Sequence, residues 1–226
     1  MQEYKIEVVD NHLIINIEKH RILIDSGSPK SFGNIQQIRI LNNTFQVAQE
    51  YMRFNINQFS FDLGFEIDLL LGGNILNNFN YKIDLLNKVI SFSENAIVPN
   101  NCFELPLSFY TNIPIIEYKV NENKIRAFFD TGAKISYINR NIANNFNRIG
   151  ETEDFYPGWG KFNVDLYEIP IIINSYENTF KFGVLPNQLE MSLLIDNTQS
   201  ILGNDFLKYY IVSISHDLNK FYCQRC

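Results

Sequence analysis

Two acids in this 226-residue chain occupy matching surroundings. Asp25 ends the apolar run Arg21-Ile22-Leu23-Ile24 and is followed by Ser26-Gly27-Ser28; Asp130 ends Ile125-Arg126-Ala127-Phe128-Phe129 and is followed by Thr131-Gly132-Ala133. A carboxylate at the end of a buried apolar strand is costly to ionise. If two such groups lie within hydrogen-bonding distance, repulsion prevents both from ionising and the pair shares one proton. One member is then a base while the other is an acid, the arrangement that general acid–base chemistry needs. Gly27 and Gly132 allow a tight turn and close approach, and the hydroxyls of Ser26 and Thr131 can hydrogen-bond the opposite loop.

A lone Asp-Ser/Thr-Gly arises by chance in roughly one chain in ten of this length. Here each copy is followed by an apolar pair, a glycine and a helix-like segment: Leu70-Leu71-Gly72-Gly73-Asn74-Ile75-Leu76-Asn77-Asn78-Phe79 in the first half and Ile201-Leu202-Gly203-Asn204-Asp205-Phe206-Leu207-Lys208-Tyr209-Tyr210 in the second. A further strand follows each, over 81–92 and 211–222, with Asp-Leu and Asn-Lys at its turn. Strands running into both acids and out of both glycines predict an all-β chain.

These duplicated motifs resemble the aspartic peptidases of the retropepsin and pepsin type, over nearly the whole chain. Asp130-Thr131-Gly132-Ala133 is similar to the retroviral form, and the segment 201–210 to the closing segment of a pepsin-like lobe. The resemblance implies a two-lobed acid-protease fold with pseudo-twofold symmetry, a short helix after each closing glycine and a six-stranded or similar sheet containing both termini. It implies an aspartic endopeptidase acting as a compact fused pseudo-dimer, hence a monomer. Asp25 and Asp130 are then catalytic, Ser26, Gly27, Ser28, Thr131 and Gly132 supporting. A water attacks the peptide bond, with no covalent enzyme intermediate, no cofactor and no metal.

The chain divides into an expected N-terminal lobe at 1–98 and a C-terminal lobe at 99–226, with Ser93 to Cys102 as a Ser-, Glu-, Asn- and Pro-bearing linker. The polar, Asn-rich stretch 28–68 reads as strands or one small hairpin. Gly72 follows Asp25 by 47 positions and Gly203 follows Asp130 by 73. The surplus falls around 151–185, where Phe155-Tyr156-Pro157-Gly158-Trp159-Gly160 is a hairpin tip, so Tyr156, Gly158, Trp159 and Gly160 are candidates for a flap over the dyad. In pepsin-like enzymes the flap belongs to the N-terminal lobe, and this chain would depart from that pattern. Tyr156 and Trp159 read equally as surface aromatics over a small satellite core. Beyond the glycines the halves differ in that Ser28 carries a hydroxyl and Ala133 does not; a hydroxyl donated to the carboxylate would make Asp25 the acid more often ionised.

Other classes are disfavoured. A net charge of −6 argues against a nucleic-acid partner, and the apolar runs are far short of the roughly 20 residues of a membrane span. No signal-like start precedes Met1-Gln2-Glu3-Tyr4-Lys5, so a cytoplasmic setting is the default. Cys102, Cys223 and Cys226 include a terminal Cys-x-x-Cys without a second ligand pair, and read as tail cysteines. His12, His20 and His216 are scattered and suit turns or surfaces. No Gly-x-Ser-x-Gly elbow, His-Glu-x-x-His helix or phosphate loop is present. The expected partner is a polypeptide in extended conformation; the rival reading is a catalytically silent relative that binds peptides or a partner protein through the same cleft.

Overall fold

The apolar runs of the two halves fold into one strand plan used twice. In the computed structural model, which describes residues 1–156 and 159–226, the first half begins with Gln2–Val9, His12–Ile17 and His20–Ile24 in antiparallel succession. The last of these then pairs in parallel with Leu69–Leu71. The second half repeats this: Ser108–Tyr110, Ile113–Val120 and Asn123–Phe129 are antiparallel neighbours, and the last lies parallel to Ser200–Leu202. The central parallel strands are buried on both faces, which is why they read as unbroken apolar runs rather than alternating ones. Ile22, Ile24, Leu69, Leu71, Ala127, Phe129 and Leu202 are all fully buried.

The entry hairpins also match. Each turns on two residues with left-handed backbone, Asp10 and Asn11 at φ 44° and 64°, Thr111 and Asn112 at φ 45° and 74°. Such two-residue turns match the twist of the strands they join, and Asn and Asp tolerate them best.

Two sheets of ten and eight strands result, with two short ribbons. Six consecutive strands of the larger sheet form its base, in the order Phe103–Pro106, Lys220–Arg225, Tyr210–Ser215, Asn80–Asp84, Val89–Ser93 and Gln2–Val9. Both chain ends lie in it. The halves meet at its centre, where Tyr81 pairs with Ile214 and Ile83 with Val212. One apolar core runs beneath, drawing Ile6, Tyr81 and Phe92 from one half and Phe129, Phe206 and Phe221 from the other. The stretch after Ser93 is tied down by the Ser213 hydroxyl, which donates to the Ile97 carbonyl at 2.5 Å.

The closing glycines start the expected turns, an α-helix at Gly73–Leu76 and a 3-10 helix at Asn204–Lys208. The reading of 28–68 as strands or one hairpin needs correction. Two small ribbons form, Gln37–Ile40 with Asn43–Gln46 and Glu50–Tyr51 with Phe54–Asn55, but Ile56–Leu63 is an α-helix. Asn55 caps its start by accepting from Gln58 N–H at 3.0 Å, and Gly64 ends it in the left-handed region at φ 80°. Ile56 and Phe59, one turn apart, face the core, so the spacing was helical where alternation had been read.

Candidate active site

Each acid stands where a parallel strand pair ends. The N–H of Asp25 donates to the Leu71 carbonyl at 3.0 Å and that of Asp130 to the Leu202 carbonyl at 2.9 Å. The turn then closes, with Ser28 N–H to Asp25 O and Ala133 N–H to Asp130 O, both 3.3 Å. A third bond ties each turn to the segment after the closing glycine: Gly73 N–H to Ser28 O at 2.7 Å, Asn204 N–H to Ala133 O at 2.9 Å. Identical backbone bonding at two places follows from the duplicated sequence.

The two turns face one another and exchange hydrogen bonds. Ser26 N–H donates to Thr131 Oγ1 at 2.9 Å, and Thr131 N–H donates to Ser26 Oγ at 3.0 Å. The hydroxyls pass their own protons inward, Ser26 to the Phe129 carbonyl at 2.8 Å and Thr131 to the Ile24 carbonyl at 2.9 Å. Ser26 and Thr131 are buried, so loss of either hydroxyl would strand an N–H and a carbonyl in the core. The glycines set the distance between the acids. A Cβ on Gly27 would lie 2.0 Å from Asp130 Cγ, and one on Gly132 would lie 2.4 Å from Asp25 Cγ. Any side chain there would occupy the partner's carboxylate.

Asp25 is buried, and burial is the main reason its carboxyl is held well above the usual carboxylate range; the charge of Asp130 adds to it. Asp130 is raised too, again chiefly by burial, against the pull of hydrogen bonds from Gly132 and Ala133. Those N–H groups donate to Asp130 Oδ1 at 2.8 and 3.2 Å, whereas Asp25 Oδ1 accepts from Ser28 N–H at 2.9 Å. The expected role of the Ser28 hydroxyl is not realised: it donates to the Lys30 carbonyl at 2.8 Å. Backbone donors therefore set the asymmetry, and they favour the charge on Asp130 and the proton on Asp25, the reverse of the assignment drawn from the hydroxyl.

Sequence reasoning missed a second pair of hydroxyls. Ser31 and Ser136 each stand six residues after their acid, a repeat that was open to inspection. Ser31 Oγ accepts from Gly72 N–H at 2.9 Å and donates to Asn74 Oδ1 at 2.8 Å. Ser136 Oγ accepts from Gly203 N–H at 3.0 Å and donates to Asp205 Oδ1 at 2.6 Å. The hairpin tips add a crossed tie: Asn11 Nδ2 donates to the Lys134 carbonyl, and Asn112 Nδ2 to the Pro29 carbonyl at 3.5 Å, each reaching the opposite half four residues past its acid.

Above the acids lies a cavity of about 730 Å³ lined by Asp25, Asp130, Gly27, Gly132 and Ser28. A hairpin of the second half, Arg148–Tyr156 with Gly160–Ile173, forms part of its wall. Tyr156 lines the cavity, and its phenol is pushed up by burial and then by the charges of Asp130 and Asp25. Trp159 and Gly160 are not among the lining residues, and Trp159 is 47% exposed; Gly160 takes the left-handed φ of 84° at the turn. The candidate Gly158, with Pro157, lies outside the described residues. Facing the hairpin, Phe59 of the helix Ile56–Leu63 meets Phe155 edge-on at 6.4 Å between ring centroids.

His12 corrects its expectation, being buried and part of the cavity wall rather than a surface or turn residue. His216 is stacked on Phe109 at 4.7 Å. The three cysteines are free, with Cys223 buried. No cluster of metal-ligating side chains occurs among the described residues, and no helix is long and apolar enough to cross a membrane.

No family model matches the chain, and no curated protein matches it. Among solved structures it is similar to a retropepsin-like aspartic protease from Rickettsia conorii, with 18% identity and a TM-score of 0.38, over 54% of this chain and 90% of that one.

Proposed function

We propose that the chain is an aspartic endopeptidase, working as one catalytic unit built from residues 1–98 and 99–226. The observation that carries this reading is the dyad itself: two carboxylates, Asp25 buried and Asp130 partly buried, each lying against the other's glycine, at the floor of a cavity. A pair of mutually repelling acids is expensive to hold in place. General acid–base chemistry gives it a use, whereas peptide binding alone does not.

In this reading the ionised Asp130 takes a proton from a water held between the carboxylates while Asp25 donates its proton to the carbonyl oxygen of the scissile bond. The hydroxyl adds to the carbonyl carbon and a neutral tetrahedral diol forms. Return of a proton from Asp130 to the departing nitrogen, and of one diol proton to Asp25, breaks the C–N bond and resets the pair. The hairpin carrying Tyr156 is the flap, and its strand Arg148–Tyr156 offers backbone groups to an extended peptide.

The test is digestion of an unbiased peptide library read by mass spectrometry, with and without pepstatin. Pepstatin-sensitive cleavage, absent from Asp25→Asn protein, is expected. Binding of peptides without any cleavage across pH 3 to 7 would instead favour the catalytically silent reading.

A further inference from the structure

The duplicated plan makes the surroundings of the two acids comparable position by position, and they are chemically unlike. Near Asp25, residues four and seven further on are Pro29 and Phe32, and the hairpin that crosses from the second half contributes Thr111 and Ile113. Near Asp130 the same offsets give Lys134 and Tyr137, and the crossing hairpin contributes Asp10 and His12. All eight line the cavity. Every exchange between the two sides runs toward polarity at the Asp130 side.

That side is also built as a site. Asp154, from the flap strand, is buried to 8% exposure and accepts from the Tyr137 hydroxyl and from Phe155 N–H at 2.8 Å. Lys134 Nζ lies 3.7 Å from Asp154 and 3.5 Å from Asp10. Glu153 pairs with Lys161 at 2.8 Å. His12, 7% exposed, has no hydrogen-bond partner at Nδ1 among the described residues. His12 lines the cavity beside these carboxylates, so a group seated there meets an imidazole as well as acids. Burial chiefly lowers the His12 pKa, so it adds no cation. Asp10, Glu153 and Asp154 stand there against Lys134 and Lys161, one acid in excess before Asp130 is counted, and the Asp10 side chain is 64% exposed.

We infer that the Asp130 side of the cleft is a specificity pocket for a basic side chain of the substrate, lysine or arginine, seated against Asp10 and His12, while the Asp25 side takes an apolar one. The inference rests on the endopeptidase reading for its substrate. It predicts a cleavage preference with unlike neighbours on the two sides of the scissile bond.

The experiment scans extended peptides in which each position in turn is Lys, Gln or Glu. Cleavage is read as kcat/KM with the wild-type chain, and affinity with the Asp25→Asn chain. One position should favour Lys over Glu by roughly two- to fivefold, the range for a partly exposed ion pair. Asp10→Asn should shrink that ratio toward one, and Lys134→Gln should enlarge it. Indifference to charge at every position, or a preference for Glu, overturns the inference. If nothing is cleaved, the endopeptidase reading falls, and the Lys-to-Glu affinity ratio on the Asp25→Asn chain still decides whether the pocket selects a cation.

Discussion

At the scale of single residues the dyad is a source of instability that changes with pH. The folded pKa of Asp25 is raised above its unfolded value, so the favourable contribution of its protonated form is fully present below the unfolded pKa. It is lost as pH rises through the raised folded value. Asp25→Asn cannot ionise, and its melting temperature should exceed that of the wild type at pH 7, with the gap closing toward pH 3. A gap that does not vary with pH would show that repulsion and burial of this charge are not the cause. The hydroxyls behave in the opposite way. Thr131→Ala removes the acceptor for Ser26 N–H and the donor to the Ile24 carbonyl. It should cost about 1–3 kcal/mol, the range for stranding buried polar groups, with a larger proportional loss of turnover because it loosens the spacing of the acids. Urea unfolding and steady-state rates measured together check this, and a variant as stable and as active as wild type would contradict it.

Between residue and fold, the hairpin Arg148–Tyr156 with Gly160–Ile173 carries the strongest expectation. Tyr156 senses both acids yet is 41% exposed. Tyr156→Ala should lower kcat/KM by roughly tenfold, the effect of losing one well-placed contact, while leaving the melting temperature nearly unchanged, since a cover contributes little to the core. A large stability loss would make this residue part of the packing. The same scale explains what the sequence made legible. Asp25, Asp130 and the central strands were readable because an apolar strand, an acid and a glycine recur in order, and duplication tells a motif from an accident. The helix Ile56–Leu63 was not, because its signal is eight residues long in an Asn-rich stretch where Phe54-Asn55-Ile56-Asn57 mimics alternation. The direction of the Ser28 hydroxyl was equally hidden. Two acceptors lay within reach of it, the carboxylate and the Lys30 carbonyl, and only folded geometry chooses between them. The polar pocket around His12 depends on a tip from one half reaching the other, a contact that no local pattern encodes.

Across the whole molecule, the halves share a sheet and a core, so neither is expected to stand alone. Residues 1–98 expressed separately would expose the edge at Asn80–Asp84 that normally pairs with Tyr210–Ser215, together with its half of the common core. Such a fragment should be unfolded or aggregated, and co-expression of 1–98 with 99–226 should recover soluble protein; a well-dispersed NMR spectrum from the isolated fragment would refute this. In the proposed enzyme one chain supplies both acids of one site, and the decisive measurement is the initial rate of peptide hydrolysis for wild type, Asp25→Asn, Asp130→Asn and an equimolar mixture of the two variants. Wild type should be active, each variant should fall by at least about a hundredfold, the scale of general acid–base catalysis, and mixing should restore nothing. Full turnover by either variant, or recovery of activity on mixing, would contradict it.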